Sequence, residues 1–400
     1  MRFSSLFVSQ LTLSPAPLDF PYDTYFDRMM DNIGVSGGLP GLSIASPSRY
    51  HPDYYYHWVR DGALVIDSVL GQFGRSKDPA LNQTLYEYLD SSAELQGLQT
   101  LSKGVGEPKF YIDGSPFNGA WGRPQNDGPA LRAMVSAKIL HTESSNVIAQ
   151  YYAYLYTDLD YVANNWALPS FDLWEELYGY HFFTSVSQYG AMKAGAAIAS
   201  MLGKSSDVER FNHVSERIKL FINSNFMPGA FVHTSHVSEH FPTGLGGRSG
   251  LDAATIIAVL ELESLAGWTV SVDGIPLAFD VHHDAIQSST ENLLQDMKSR
   301  YPINHASIGG IGRYPEDAYD GYGTSEGNPW FICTAAVAEA LTENGQSEMA
   351  HKLLEFIDYH KGDTISEQMD RYTGYMRGAT SLTWSYSAVI RAFRRYNLRD

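Results

Sequence analysis

Apolar residues recur at i, i+3 and i+4 along almost the whole chain, the spacing that lays one stripe along a helix. That pattern predicts about thirteen helical segments. They fall near residues 23–33, 60–73, 79–100, 126–141, 144–166, 171–178, 182–202, 205–223, 249–263, 284–300, 329–344, 347–359 and 382–396. In the eighth, Ser206 and Glu209 make a capping-box pattern, and Phe211, Val214, Ile218, Phe221 and Ile222 form the stripe. Asn344-Gly345 stops one helix and Ser347 starts the next, a helical hairpin of ordinary loop length. Other segments are apolar on nearly every side, such as 127–140 with Ala130, Leu131, Ala133, Met134, Val135, Ala137, Ile139 and Leu140, and belong in an interior. Interior helices alternating with helices that keep a polar face predict an all-α architecture of two concentric helical rings. Strand patterns are scarce. Thr269-Val-Ser-Val-Asp-Gly-Ile-Pro-Leu277 reads as one small hairpin turning at Asp273-Gly274.

Composition narrows the partners. A chain of 400 residues exceeds the usual single-core size of about 250–300, so length alone predicts either two domains or one large closed architecture. The net charge of −17 repels phosphate backbones and anionic lipid, which leaves an uncharged substrate and neither nucleic acid nor membrane as partner. The single cysteine, Cys333, excludes an internal disulfide and a multi-cysteine zinc site, and its apolar setting predicts a buried thiol. Residues 1–22 carry one Arg and a short apolar stretch interrupted by Ser and Gln, and read as a weak secretory signal or a disordered lead. Asn82-Gln-Thr84 is an N-glycosylation acceptor pattern inside a helical segment. The compartment stays open between a secretory route (extracellular or vacuolar) and the cell interior.

The chemistry sits in long loops rich in glycine, proline and aromatics, at 38–60, 104–127, 241–250, 308–329 and 361–381. Pro169-Ser-Phe-Asp-Leu-Trp-Glu-Glu-Leu177 reads as a helix opening with Asp172 as N-cap and Glu175 three positions on. Two acids behind a tryptophan also suit sugar cleavage, since an indole stacks on a sugar ring and a carboxyl protonates a leaving oxygen. Tyr54-Tyr-Tyr-His-Trp-Val-Arg-Asp61 sets aromatics beside an Arg-Asp pair, which either clamps vicinal hydroxyls or fixes a helix start. Trp121-Gly-Arg-Pro-Gln-Asn-Asp-Gly-Pro129, Gly312-Arg-Tyr-Pro-Glu-Asp317 and Gly327-Asn-Pro-Trp330 repeat the theme, and Ser366-Glu-Gln-Met-Asp370 adds a further acid. No nucleophile elbow or phosphate-cradling loop is present, and His282-His283-Asp284 lacks helical metal-ligand spacing. Paired carboxylates remain, with no cofactor or metal expected.

Taken together and in order, these loops resemble the glucoamylase family, glycoside hydrolase family 15, over residues 23–396. The blocks are Gly38-Gly-Leu-Pro-Gly-Leu-Ser-Ile-Ala-Ser-Pro-Ser48, 52–65, Gly106-Glu-Pro-Lys-Phe110 with Gly119-Ala-Trp-Gly-Arg-Pro-Gln125, and 171–176. Arg248-Ser-Gly250, 312–317 with 328–331, and 366–368 with Leu382-Thr-Trp-Ser-Tyr386 complete them. The resemblance implies an (α/α)6 barrel of six outer and six inner helices, with one catalytic domain over 23–400 and no starch-binding module. It implies release of β-glucose from the non-reducing ends of α-1,4-glucans such as starch, maltodextrin or glycogen, by a monomer. Glu175 would be the general acid and Glu367 the general base, with Tyr54 and Gln368 near the attacking water. Arg60 and Asp61 would hold the terminal glucose with Trp58, Trp174, Arg313 and Glu176, and Trp121 and Trp330 would wall the pocket toward the next sugar.

An inverting site needs its carboxyls roughly 6.5–9.5 Å apart, with room for a water. Trp174 and Glu176 are expected to keep Glu175 protonated, and Glu367, in a polar loop, to stay ionised. Two features depart from the family pattern: Arg377-Gly-Ala-Thr-Ser-Leu-Thr-Trp384 replaces a more usual Ala-Arg-Asp-Leu-Thr-Trp, and Asn126 stands where a basic residue is common. These and the lack of disulfides resemble the yeast branch, including sporulation-type intracellular enzymes. The alternatives are a non-catalytic glucan-binding barrel, or a relative acting on α-1,6-dextran or trehalose.

Overall fold

A computed structural model describes residues 15–266, 278–307 and 309–398. Among them lie twelve α-helices: α1 (Tyr22–Met30), α2 (Val59–Ser76), α3 (Pro79–Gln96), α4 (Asp127–His141), α5 (Ser145–Asn165), α6 (Phe182–Met201), α7 (Ser205–Asn225), α8 (Ala254–Glu263), α9 (Asp284–Arg300), α10 (Phe331–Glu343), α11 (Ser347–His360) and α12 (Thr383–Asn397). Each even-numbered helix packs on the next even one, and α12 returns to α2, so these six close an inner ring. The odd-numbered helices lie outside, each against an even partner.

Side-chain pattern explains the sorting. On α4, α6, α8 and α10 nearly every residue is buried, with Ala, Ser and Gly letting neighbouring helices approach. The outer α7 and α11 bury only one stripe, including Phe211, Val214, Ile218 and Ile222 on α7. Ends follow local chemistry. Asp78 caps α3 through the Ala80 N–H at 2.9 Å, with Pro79 in the first turn. Gly345 takes a left-handed φ of 71° between α10 and α11, as its sequence position required. Cys333 is buried in α10.

Three sequence expectations change. The α7 capping box does not form: the helix starts at Ser205, and no side chain caps it. The segment 171–178 is not a helix. Strand β3 (Ser170–Phe171) and β4 (Tyr178–His181) pair antiparallel around a tight turn instead, and β4 pairs in turn with β5 (His240–Phe241). Asp172 is the cause. Its carboxylate accepts the N–H groups of Glu176 and Leu177, both at 2.7 Å, and its own N–H donates to the Leu177 carbonyl. Segment 249–263 becomes helical only from Ala254, because Asp252 takes the Ala254 N–H and holds the preceding residues as loop. The hairpin expected at 269–277 lies outside the described residues.

One buried ion pair fastens inner to outer ring. Arg132 of α4 grips both carboxylate oxygens of Asp158 on α5 at 2.7 and 2.6 Å, both residues being buried. Removing one partner leaves an unpaired buried charge, so Arg132→Met should cost about 3–5 kcal/mol in urea unfolding, whereas Arg132→Met with Asp158→Leu should recover most of that loss. A double variant no more stable than the single one would mean that the pair is not coupled.

Candidate active site

All six inner helices begin at the same end of the barrel, where the long loops gather. Their first turns therefore direct partial positive charge at one place. A cavity of about 370 Å³ opens there, lined by Tyr54, Trp58, Arg60, Asp61, Trp121, Trp174, Glu175, Glu176, Arg313, Trp330 and Glu367. Of the residues singled out from sequence, only Gln368 lies outside its wall.

Glu175 occupies the tip of the β3–β4 turn with φ +67°, a left-handed conformation that costs a side-chain-bearing residue roughly 1–3 kcal/mol. The Asp172 bonds hold the tip in that shape. Three donors converge on one of its oxygens: Trp58 Nε1 at 2.8 Å, Gln125 Nε2 at 2.8 Å and Arg60 Nη2 at 3.4 Å. Among the described residues the other oxygen, Oε2, takes no hydrogen bond.

Arg60 and Asp61 stand in the first turn of α2, just after Trp58. Trp58 itself ends β1 (His57–Trp58), which pairs with β2 (Lys109–Phe110). Arg60 donates to Asp127 at 2.8 Å and to Gln125 at 3.0 Å, and lies 3.7 Å from Asp61. Its Nε is buried without a hydrogen-bond partner among the described residues, as is Trp330 Nε1. Burial, reinforced by the charges of Glu175 and Asp127 against that of Arg60, pushes the Asp61 carboxyl up to about 6.

Glu367 lies on the opposite wall, deeper. Tyr54 donates to its Oε1 at 3.0 Å, and Tyr319 approaches its Oε2 at 3.4 Å. Gly378, at φ +71°, passes so close that a Cβ there would sit 2.0 Å from Glu367 Oε2, which only glycine permits. Glu367 stands in a loop with polar partners as expected, but that loop is closed to solvent here. Glu367 itself is 1% exposed, and burial pushes its carboxyl up to about 7 against the bonds from Tyr54, Ala379 and Tyr319 and the charge of Arg313. Gln368 opens β6 (Gln368–Met369), which pairs with β7 (Met376–Arg377). Its carboxamide stands behind the cavity wall, accepting from Asn328 at 2.9 Å and donating to Glu367 Oε2 at 3.5 Å.

The two neighbours of Glu175 have partners of their own. The Trp174 indole N–H donates to Asp252 at 3.1 Å, and its ring packs on Trp330 at 5.7 Å. Although burial opposes it, Arg313 at 2.9 Å, Tyr314 at 2.6 Å and Arg248 hold the Glu176 carboxyl below its ordinary range. Sequence reasoning missed Gln125, Asp127, Asp252 and Tyr319. Gln125 and Asp127 stand in a loop already marked by Trp121 and Pro129, so the location was visible although their roles were not. Asp252 and Tyr319 carry no local signal and become visible only as partners of Trp174 and Glu367.

Comparison with known proteins agrees with this architecture. The family model for glycosyl hydrolases family 15 matches residues 23–360 and 344–394. The chain is 34% identical to a glucoamylase of Saccharomycopsis fibuligera over 454 residues, covering 90% of this chain and 85% of that one. It is 32% identical to an intracellular sporulation-specific glucoamylase of Saccharomyces cerevisiae, covering 92% and 81%. The solved glucoamylase structure from Saccharomycopsis fibuligera superposes with a TM-score of 0.83 at 31% identity, over 96% of this chain and 97% of that one. With the ring, the pocket and the matches in accord, this chain belongs to glycosyl hydrolases family 15.

Proposed function

We propose that the protein removes terminal glucose from the non-reducing ends of α-1,4-glucans by inversion, with Glu175 as general acid and Glu367 as general base. The unequal burial of the two carboxylates carries the assignment. The Glu175 side chain is 17% exposed and stands beside Trp58, whose ring meets the half-exposed Trp121 at 6.0 Å. That is the open side, through which a leaving chain departs. Glu367 faces the closed side, where Tyr54 and Tyr319 flank it and a water is the reactant that fits.

Proton transfer then follows from the hydrogen bonds. With three donors on Oε1, the proton of Glu175 belongs on Oε2 and passes from there to the glycosidic oxygen. Glu367 takes a proton from water as that water attacks the anomeric carbon from the other face. The free donors of Arg60 Nε and Trp330 Nε1 suit hydroxyls of the bound sugar, because a buried donor without a partner costs free energy until it finds one. Arg60 and Asp61, at the first turn of α2, offer a donor and an acceptor to the terminal ring.

The raised carboxyl of Glu367 favours one other reading, in which the two roles are exchanged. Leaving-group chemistry separates them. Glu175→Gln should lower maltose turnover by at least about 10²-fold while retaining hydrolysis of α-glucosyl fluoride, whose leaving fluoride needs no proton. Glu367→Gln should lose both substrates. The opposite pattern would exchange the roles.

Stereochemistry gives a separate check. Time-resolved NMR of the anomeric protons early in maltose hydrolysis should show β-glucose first, and α-glucose first would rule out inversion.

A third outcome concerns pH. The bond from Tyr54 favours the ionised form of Glu367, so Tyr54→Phe should raise its pKa. A base works when ionised, so the acidic limb of kcat/KM should move to higher pH in this variant. An unmoved limb would remove Glu367 from the role of base.

A further inference from the structure

At the other end of the barrel, where the inner helices finish, a second cavity of about 210 Å³ lies over the seam between α2 and α12. Its wall holds four arginines, Arg75, Arg391, Arg394 and Arg395, against two acids, Asp67 and Glu339. Both acids are already engaged. Lys138 donates to Asp67, and Arg391 donates to Glu339 at 2.8 Å while also gripping Glu261. Arg395 is paired as well, with Glu343.

Arg75 and Arg394 stand apart from these. Among the described residues neither forms an ion pair. Both turn instead to one neutral atom, the carboxamide oxygen of Gln72, with Arg75 Nη2 at 3.0 Å, Arg75 Nε at 3.3 Å and Arg394 Nη2 at 2.7 Å. Burial and the charge of Arg75 lower the Arg394 guanidinium to about 10, against Tyr22 and Asp23 of α1. It therefore stays charged at neutral pH with a like charge beside it. Basic residues in the last turn of a helix favour its dipole, which accounts for each arginine separately. It does not account for two guanidiniums of different helices converging on one oxygen at the wall of a cavity, because like charges so close repel unless an anion stands between them.

We propose that this cavity binds a phosphate group, as inorganic phosphate or as the monoester of a small metabolite, between Arg75 and Arg394. A phosphate monoester carries a charge of about −1.5 to −2 at neutral pH and three acceptor oxygens, enough to serve both planar forks. A single carboxylate would fill one fork and leave the other. A polyanion is disfavoured, because it would have to approach a chain of net charge −17. Arg75 ends α2 and Arg394 ends α12, so the bound group would tie the last helix of the ring to the first. Occupancy would then register as stability of the ring, at the end remote from the catalytic pocket.

The test follows the thermal unfolding midpoint against inorganic phosphate, glycerol phosphate or sodium chloride at matched ionic strength. Glycerol phosphate has no sugar ring to enter the catalytic pocket. The unmodified protein should show a saturable rise with one or both phosphate compounds and none with chloride. A response to inorganic phosphate assigns the site to the free ion, and a response to the ester alone assigns it to a metabolite. Arg75 is exposed at its helix end, so Arg75→Gln keeps the fold, and it should weaken binding about tenfold or more, the effect of one lost charge-assisted contact. Gln72→Glu sets a carboxylate between the two guanidiniums. It should raise the midpoint without phosphate and abolish the response. Stabilisation by salt exclusion acts on the whole surface, does not saturate and would persist in both variants. A rise of that kind, or no rise in the unmodified protein, overturns the site.

Discussion

A ring of helices has no core until its last member meets its first, and everything at the site depends on that seam. Here α12 lies against α2, with Ser68 and Ser387 hydroxyls 2.6 Å apart and Ser387 donating to the Leu64 carbonyl. At the active-site end Thr383 donates its hydroxyl to the Ile44 carbonyl at 2.6 Å and its N–H to Ala45, and Asn32 donates to the Thr383 hydroxyl. At the far end Asn397 binds the backbone of Leu18 through both its amide and its carbonyl oxygen. Small hydroxyl side chains suit this seam because they let two helices approach while satisfying their own polar atoms. Without it the loop bearing Tyr54 and the loop bearing Glu367 would have no common frame.

Charge placement follows from the same geometry. Arg60 is buried at the start of α2 with Asp127, from the start of α4, and Glu175, from the β3–β4 turn, on the same guanidinium. Arg313 does the equivalent on the opposite wall, holding Asp317 at 2.6 Å and Glu176 at 2.9 Å. Each arginine is fixed by one carboxylate that is wholly buried and touches a second that lines the pocket. A guanidinium suits this position because its planar fork serves two acceptors at once and stays charged when desolvated. The two catalytic candidates thus experience different settings: donors on Glu175, and hydroxyls with little solvent on Glu367.

The helical ring was legible because its evidence is periodic and repeated. Inner helices such as α4 are apolar on all sides, outer ones such as α7 on a single stripe, and many such segments in alternation admit few architectures. Pocket residues were legible as aromatic and charged clusters in long loops. What failed was local. Asp172 and Glu175 make the same sequence pattern whether they cap a helix or close a hairpin turn, and only the pairing of Phe171 with Tyr178 decides. Gln368 is legible as the neighbour of Glu367, but the sharing of its carboxamide between Asn328 and Glu367 is not. The electrostatic setting of Glu367 was not legible at all, since its burial is created by Gly378, Tyr319 and Tyr54, which are up to 313 positions away.

The seam also has a consequence for biosynthesis. Chains emerge from the ribosome at about 5–20 residues per second, N-terminal part first, and domains fold as units. Glu175 and its turn are made when less than half of the chain exists, but α2 has no partner on its open side until α12 has been made. During most of translation α2 therefore lacks that partner, and α10, once made, waits for the same helix. The hazard during synthesis is the sticking of those open faces to other chains. A helper that shields them until α12 has joined the ring would serve this fold better than one that acts on the finished ring.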